Sequence, residues 1–150
     1  MKILGLGLLA AALAMGASSN IDLYSPQDLQ KMVQTLSNKK APFASESLKK
    51  YGSDHTMIAY REETGSSEVH EKEADFFFVV DGSAAILTGG KLVNPHTEAA
   101  GELRGTSVAG GERHELAKGA VIHIPAGTPH QVLIQKGTPF TYFVVKVIEK

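Results

Sequence analysis

The chain predicts an all-β domain, a sandwich or barrel, with one helix in front of it. Three observations carry that prediction. From His55 onward, short apolar runs alternate with Gly and Pro turns: His55–Tyr60, Asp75–Val80, Ala84–Leu87, Arg113–Leu116, Val121–Ile124, His130–Ile134 and Phe140–Ile148. Many short strands with turn residues between them make a sheet that must fold onto itself. The run Phe76–Val80 is apolar without alternation, as in a strand covered on both faces. The stretch Gly119–His130 reads as strand, turn and strand, because Pro125 ends a ladder and Gly127 supplies turn geometry.

The elements follow in chain order. Residues 1–16 read as a signal peptide rather than as part of the fold. Lys2 is a minimal positive end, and Ile3–Met15 is an apolar run of thirteen residues, short for a membrane span. Ala14 and Gly16 put small residues where a signal peptidase cuts, so export to the periplasm or the extracellular space is expected, with no stable membrane anchor after cleavage. Residues 17–54 read as a helical extension. Ser25 caps a helix, Pro26 opens it and Asp28 stands three after the cap, followed by Leu29, Met32, Val33 and Leu36 on one face. This predicts a helix over Pro26–Ser37, packed outside the sheet and closed by Asn38 and Lys39-Lys40. Ala44–Lys50 suggests a further helical turn stopped by Gly52. Residues 55–150 form the β domain. Within it, Asp81-Gly82 reads as a hairpin turn, since both residues tolerate positive φ.

Residues 88–112 stand apart, with six glycines and Pro95. They suggest a short hairpin around Lys91–Val93 and Leu103–Val108, and either a lid over a cavity or a surface excursion. The chain has 150 residues, 43% hydrophobic, and a formal charge of −1. That suffices for one core and gives no electrostatic reason to expect nucleic acid. There is no Cys, so stability comes from packing, with or without a metal. Nucleophile motifs, phosphate loops and dinucleotide fingerprints are missing from the sequence.

The spacing Gly119, five residues, Pro125, one, Gly127, two, His130 resembles the second motif of the cupin superfamily, G-x5-P-x-G-x2-H. The first cupin motif, G-x5-H-x-H-x3–4-E-x6-G, has a looser counterpart. Asp75 is followed by six residues and Gly82, His70 precedes Asp75 with four residues between, and Glu68 stands two before His70. The ligand positions therefore read Glu68, His70 and Asp75 in place of His, His and Glu, and the leading Gly65 is out of register. The resemblance implies a single jelly-roll β-barrel with His130 turned inward. It also implies one divalent metal, Mn, Fe, Ni or Zn, held by Glu68, His70, Asp75 and His130, a set of N and O donors that suits any of these ions. On a strand, Glu68 and His70 face the same way. His123 is a candidate cavity residue, as proton shuttle or substrate contact, with a partly buried structural His as the equal alternative. His55, His96 and His114 have no motif support and read as surface positions.

Cupins include oxygenases, isomerases, decarboxylases and lyases, so the resemblance does not select a reaction. It implies a small-molecule ligand or substrate, and it allows a homodimer, since cupins often pair. Three readings stay open at this point. They are a metal-dependent enzyme, a non-catalytic small-molecule or metal-binding module, and a barrel with no ligand.

Overall fold

The computed structural model describes residues 21–149; the predicted signal peptide lies outside them. The described residues run through helix α1 (Pro26–Ser37) and twelve strands. These are β1 (Phe43–Tyr51), β2 (Asp54–Arg61), β3 (Ser67–His70), β4 (Glu73–Thr88), β5 (Lys91–Val93) and β6 (His96–Ala99). They continue with β7 (Glu102–Gly105), β8 (Ser107–Ala109), β9 (Glu112–Ala117), β10 (Val121–Ile124), β11 (His130–Leu133) and β12 (Phe140–Ile148).

The sequence reading of α1 holds at both ends. Ser25 accepts from the Asp28 backbone and Asp28 accepts from the Ser25 backbone, a capping box, and Asn38 closes the last turn. Its apolar face lies outside the barrel, as predicted: Leu36, Leu29 and Met32 pack on Ala44, Leu48, Ile58 and Tyr60. Lys39 and Lys40 fall beyond the cap rather than in the last turn.

Two expectations are corrected. Ala44–Lys50 is not helical but lies within β1, which pairs antiparallel with β2. The apolar residues Ala44 and Leu48 stand four apart, a spacing that one face of either a helix or a strand satisfies, and pairing with β2 decides between them. The β structure therefore begins at Phe43, not His55. Asp81-Gly82 is not a hairpin turn either, since β4 continues through it to Thr88. Gly82 takes a positive φ of 76°, and a Cβ there would collide with the Pro139 carbonyl. Opposite it, the β12 register slips between Thr141 and Tyr142. The result is a bulged bend within one strand.

That bend lets β4 serve two walls. Before it, β4 pairs with β12 and β10; after it, with β11 and β9. The sheet order β1-β2-β12-β4-β11-β3-β7-β6 curls the two walls toward each other. Inward side chains from both make the core: Phe77, Val79, Ile86, Ile124, Val132, Phe140, Tyr142 and Val144. Each such buried side chain contributes on the order of 1.5–3 kcal/mol.

Residues 88–112 divide in two: β6 and β7 join the main sheet, and β5 and β8 form a separate two-stranded sheet beside it. Lys91–Val93 pairs with Ser107–Ala109, near the hairpin expected from the sequence. β7 pairs with β3 on one side and β6 on the other, so it forms part of a wall. No helix among the described residues is long and apolar enough to cross a membrane.

Candidate metal centre

The register of the sheet brings four predicted residues together. Across β11, β3 and β7, His130 stands opposite Glu68, and Glu68 opposite Arg104. Two residues along, His70 stands opposite Glu102. From the other wall, Asp75 on β4 stands opposite Lys146 on β12. Directly paired residues share a face, so these rows meet inside the barrel. The turn Pro125–Gly127 joins the two motifs, because the Gly127 N–H donates to the His70 carbonyl at 2.7 Å.

The donor atoms converge. Nε2 of His70 lies 3.8 Å from Glu68 and 3.4 Å from Asp75 Oδ2. Nε2 of His130 lies 3.6 Å from Glu68 Oε1 and 3.6 Å from the same Asp75 oxygen. Glu68, His70 and His130 each offer one ligand atom, all within 4.8 Å of one another. His70, His130 and Asp75 are buried, and Glu68 is nearly so.

The outer nitrogens are anchored. His70 Nδ1 meets Glu102 at 2.7 Å, and His130 Nδ1 meets the Thr128 carbonyl at 3.0 Å. A carbonyl only accepts, so a neutral His130 carries its proton on Nδ1 and turns a lone pair at Nε2 into the site. That Nε2 is buried and has no hydrogen-bond partner. Such an atom is costly unless something fills its need. Two imidazole lone pairs facing two carboxylates repel unless a cation or a proton lies between them. A divalent cation meets both demands, and the Nδ1 anchors are the outer contacts that metal-binding imidazoles use. The residues therefore fit a metal of the borderline class.

The carboxylates are held in their charged form by their neighbours. Burial pushes the Glu68 carboxyl up, but the His130 and His70 imidazoles and Arg61 outweigh it and hold it at about 2. Burial likewise opposes ionisation of Asp75, yet His70 and Lys146 bring it below the ordinary value. Lys146 Nζ holds Asp75 Oδ1 at 2.7 Å, leaving Oδ2 for the site. Burial raises the Tyr142 phenol, with Arg61 opposing, so it stays protonated.

A cavity of about 580 Å³ opens over Glu68, His70 and Asp75, with His130 buried behind them. Its lining includes Arg61, Tyr142, Glu98, Glu102, Arg104 and Lys146, which sequence reasoning missed. Two of them had a readable signal. Lys146 interrupts an apolar strand in step with Phe140, Tyr142 and Val144, all inward. Arg61 follows Met57 and Ala59 at the same period. Glu102 and Arg104 had none, since nothing in the Gly-rich segment sets its pairing with β3.

His123 does not line the cavity over the cluster but a separate, smaller one with His114 and Ile122. It pairs with Phe76, whose neighbours Asp75 and Phe77 point inward, so it faces out. It is exposed there and stacks on the Phe76 ring at 4.3 Å. His55 lines the cavity, against the expectation of a plain surface position. His96 is exposed, and His114 is half-exposed with Nε2 3.1 Å from Thr88 Oγ1.

No protein-family model and no curated protein matches the sequence. Solved structures do match. A cupin superfamily protein from Desulfitobacterium hafniense is 13% identical with a TM-score of 0.51, covering 71% of this chain and 78% of its own. The DMSP lyase DddQ from Ruegeria pomeroyi is 19% identical with a TM-score of 0.51, covering 73% of this chain, which spans 49% of the lyase. The polyketide cyclase RemF from Streptomyces resistomycificus is 17% identical with a TM-score of 0.51, covering 72% of this chain and 66% of its own. The fold is cupin-like, an antiparallel jelly-roll sheet curled into a half-barrel. The particular chain carries in that fold a Glu68, His70 and His130 group that could hold a metal, with Asp75 beside it.

Proposed function

We propose that this is an exported cupin-type protein that holds one divalent metal through Glu68, His70, His130 and Asp75 and acts on a small organic molecule. The observation that carries the reading is the buried, partnerless Nε2 of His130, aimed with His70 Nε2 at two carboxylates. A bound divalent ion would supply Lewis acidity to an oxygen-bearing substrate. The chain's own residues supply the rest. Glu102 and the Thr128 carbonyl orient the imidazoles, Lys146 orients Asp75, and the barrel wall of Phe77, Ala59 and Val144 excludes water from one side. The cavity is large enough for a small molecule beside the cluster, which favours turnover or ligand binding over a purely structural barrel. The lyase and cyclase of the same fold support chemistry on small molecules without selecting a reaction.

The test is thermal unfolding after chelation and readdition of Mn, Fe, Ni or Zn. A ligand that binds only the folded state, at a hundred times its Kd, stabilises by about 2.7 kcal/mol. A rise in Tm that saturates at one equivalent is expected, and no shift with any of the four ions would overturn the metal reading. Export is tested separately, by mass spectrometry of the protein from the periplasm or medium. A mature N-terminus near Ala17 is expected, and an intact Met1 confined to the cytoplasm would contradict it.

A further inference from the structure

Three cationic side chains face the cavity: Arg61, Arg104 and Lys146. Two are saturated. Arg104 donates to Glu102 at 3.0 Å and to the Leu103 carbonyl at 3.0 Å, and its Nε lies 3.0 Å from Glu98. Lys146 holds Asp75 at 2.7 Å with Glu73 at 3.8 Å. Arg61 differs. Its Nε donates to the Tyr142 hydroxyl at 3.0 Å, but Nη1 and Nη2 make no hydrogen bond among the described residues. The nearest carboxylate, Glu68, is 4.0 Å from Nη2, beyond hydrogen-bond reach, and already faces the two imidazoles.

This guanidinium is held in place. Its Cζ lies 4.4 Å from the Phe43 ring centroid, and its side chain is only 12% exposed. A Cβ at Gly65 would collide with Nη1, so the absence of a side chain there makes room for the fork. A partly desolvated cation with both terminal nitrogens unused is costly unless an anion completes it. The planar fork matches a carboxylate with two parallel hydrogen bonds. Tyr142 accepts from Arg61, so its own O–H is free to donate to the same anion. The adjoining wall is apolar, with Met57, Ala59, Phe77 and Val144, and suits an organic body rather than a bare inorganic ion.

We infer that the cavity takes a small organic carboxylate, received by the Arg61 fork with Tyr142 beside it. The inference rests on reading the cavity as a small-molecule site, but Arg61 offers no metal donor, so the two are separable. The test is calorimetric titration with benzoate and butyrate against the neutral isosteres benzamide and butyramide. It is run on parent protein, Arg61→Gln and Tyr142→Phe, with metal content measured in each. Hydrogen bonds to a charged group support a preference for the acids of about tenfold to a hundredfold, lost in Arg61→Gln and reduced in Tyr142→Phe. Metal content separates loss of the fork from loss of the ion, since Arg61 also stands 4.0 Å from the Glu68 carboxylate. Acid binding that survives unchanged in Arg61→Gln, or parent protein that binds acid and amide alike, overturns the inference. Parent protein without metal that still prefers the acids through Arg61 sinks the metal reading and leaves this one standing. If Arg61→Gln does not fold, the Arg61 Nε–H resonance of the parent decides. It must shift saturably with benzoate and not with benzamide, and an unmoved signal overturns the inference.

Discussion

The imidazole of His70 shows how much of the site lies outside the ligand atoms. Its Nε2 reaches the cluster because Nδ1 is tied to Glu102 at 2.7 Å. Glu102 is also gripped by Arg104 at 3.0 Å. A chain of three side chains thus sets one donor. Replacing such an outer partner costs roughly 10–100-fold in metal affinity. Glu102→Gln is therefore expected to weaken metal by that factor, read by competition with a chelator, while circular dichroism stays unchanged. Equal affinity in variant and parent would show that the contact orients nothing. That Glu68, His70, Asp75 and His130 converge was legible in the sequence, because the spacing that resembles the cupin motifs sets their register and strand periodicity puts Glu68 and His70 on one face. The outer partners were not, because Glu102 meets His70 only through the pairing of β3 with β7, which no local pattern announces.

At the scale of elements, the bend in β4 positions everything else. It allows one strand to pair with β12 and β10 before Gly82 and with β11 and β9 after it, which brings Asp75 from one wall against His130 from the other. Gly82→Ala puts a Cβ into left-handed backbone and into the Pro139 carbonyl. Backbone strain of this kind costs about 1–3 kcal/mol, and the collision adds to it. A loss of at least that size is expected in urea unfolding, and an unchanged midpoint would mean that the bend tolerates a side chain. The same position shows where sequence reading stops. Asp81-Gly82 announces a positive φ, but a hairpin turn and a bulged bend both need one. Helix α1 was legible to the residue, because the Ser25–Asp28 box and Asn38 mark its ends chemically. β1 was not, since its few buried residues carry no period that separates strand from helix.

For the whole molecule, the cluster of opposed charges makes stability depend on pH in a way that metal should change. In metal-free protein, burial raises Glu68, but His130, His70 and Arg61 outweigh it and hold it at about 2, against an ordinary 4.5. A depressed carboxylate contributes stability that is present above 4.5 and lost as pH falls through about 2. Burial opposes charge on His70, but Asp75 and Glu68 outweigh it, so its pKa is raised above 6.5. A raised imidazole contributes stability that is full below 6.5 and lost as pH rises through the raised value. Metal-free protein should therefore show its highest Tm between about pH 4.5 and 6.5 and decline on the alkaline side. Metal needs deprotonated ligands, so saturating metal should move the maximum to higher pH. A metal-free Tm that climbs steadily from pH 6 to 8 would contradict this account. The cupin fold links these scales, since the sheet that builds the core also brings Glu68, His70, Asp75 and His130 together from three strands. The measurement that tests the central claim most directly is elemental analysis of purified protein, parent beside His130→Ala and His114→Ala. The account predicts one equivalent of a divalent metal in the parent, one in His114→Ala, and none in His130→Ala. Equal metal in His130→Ala and parent, or a parent that binds none from any of the four ions, would contradict it.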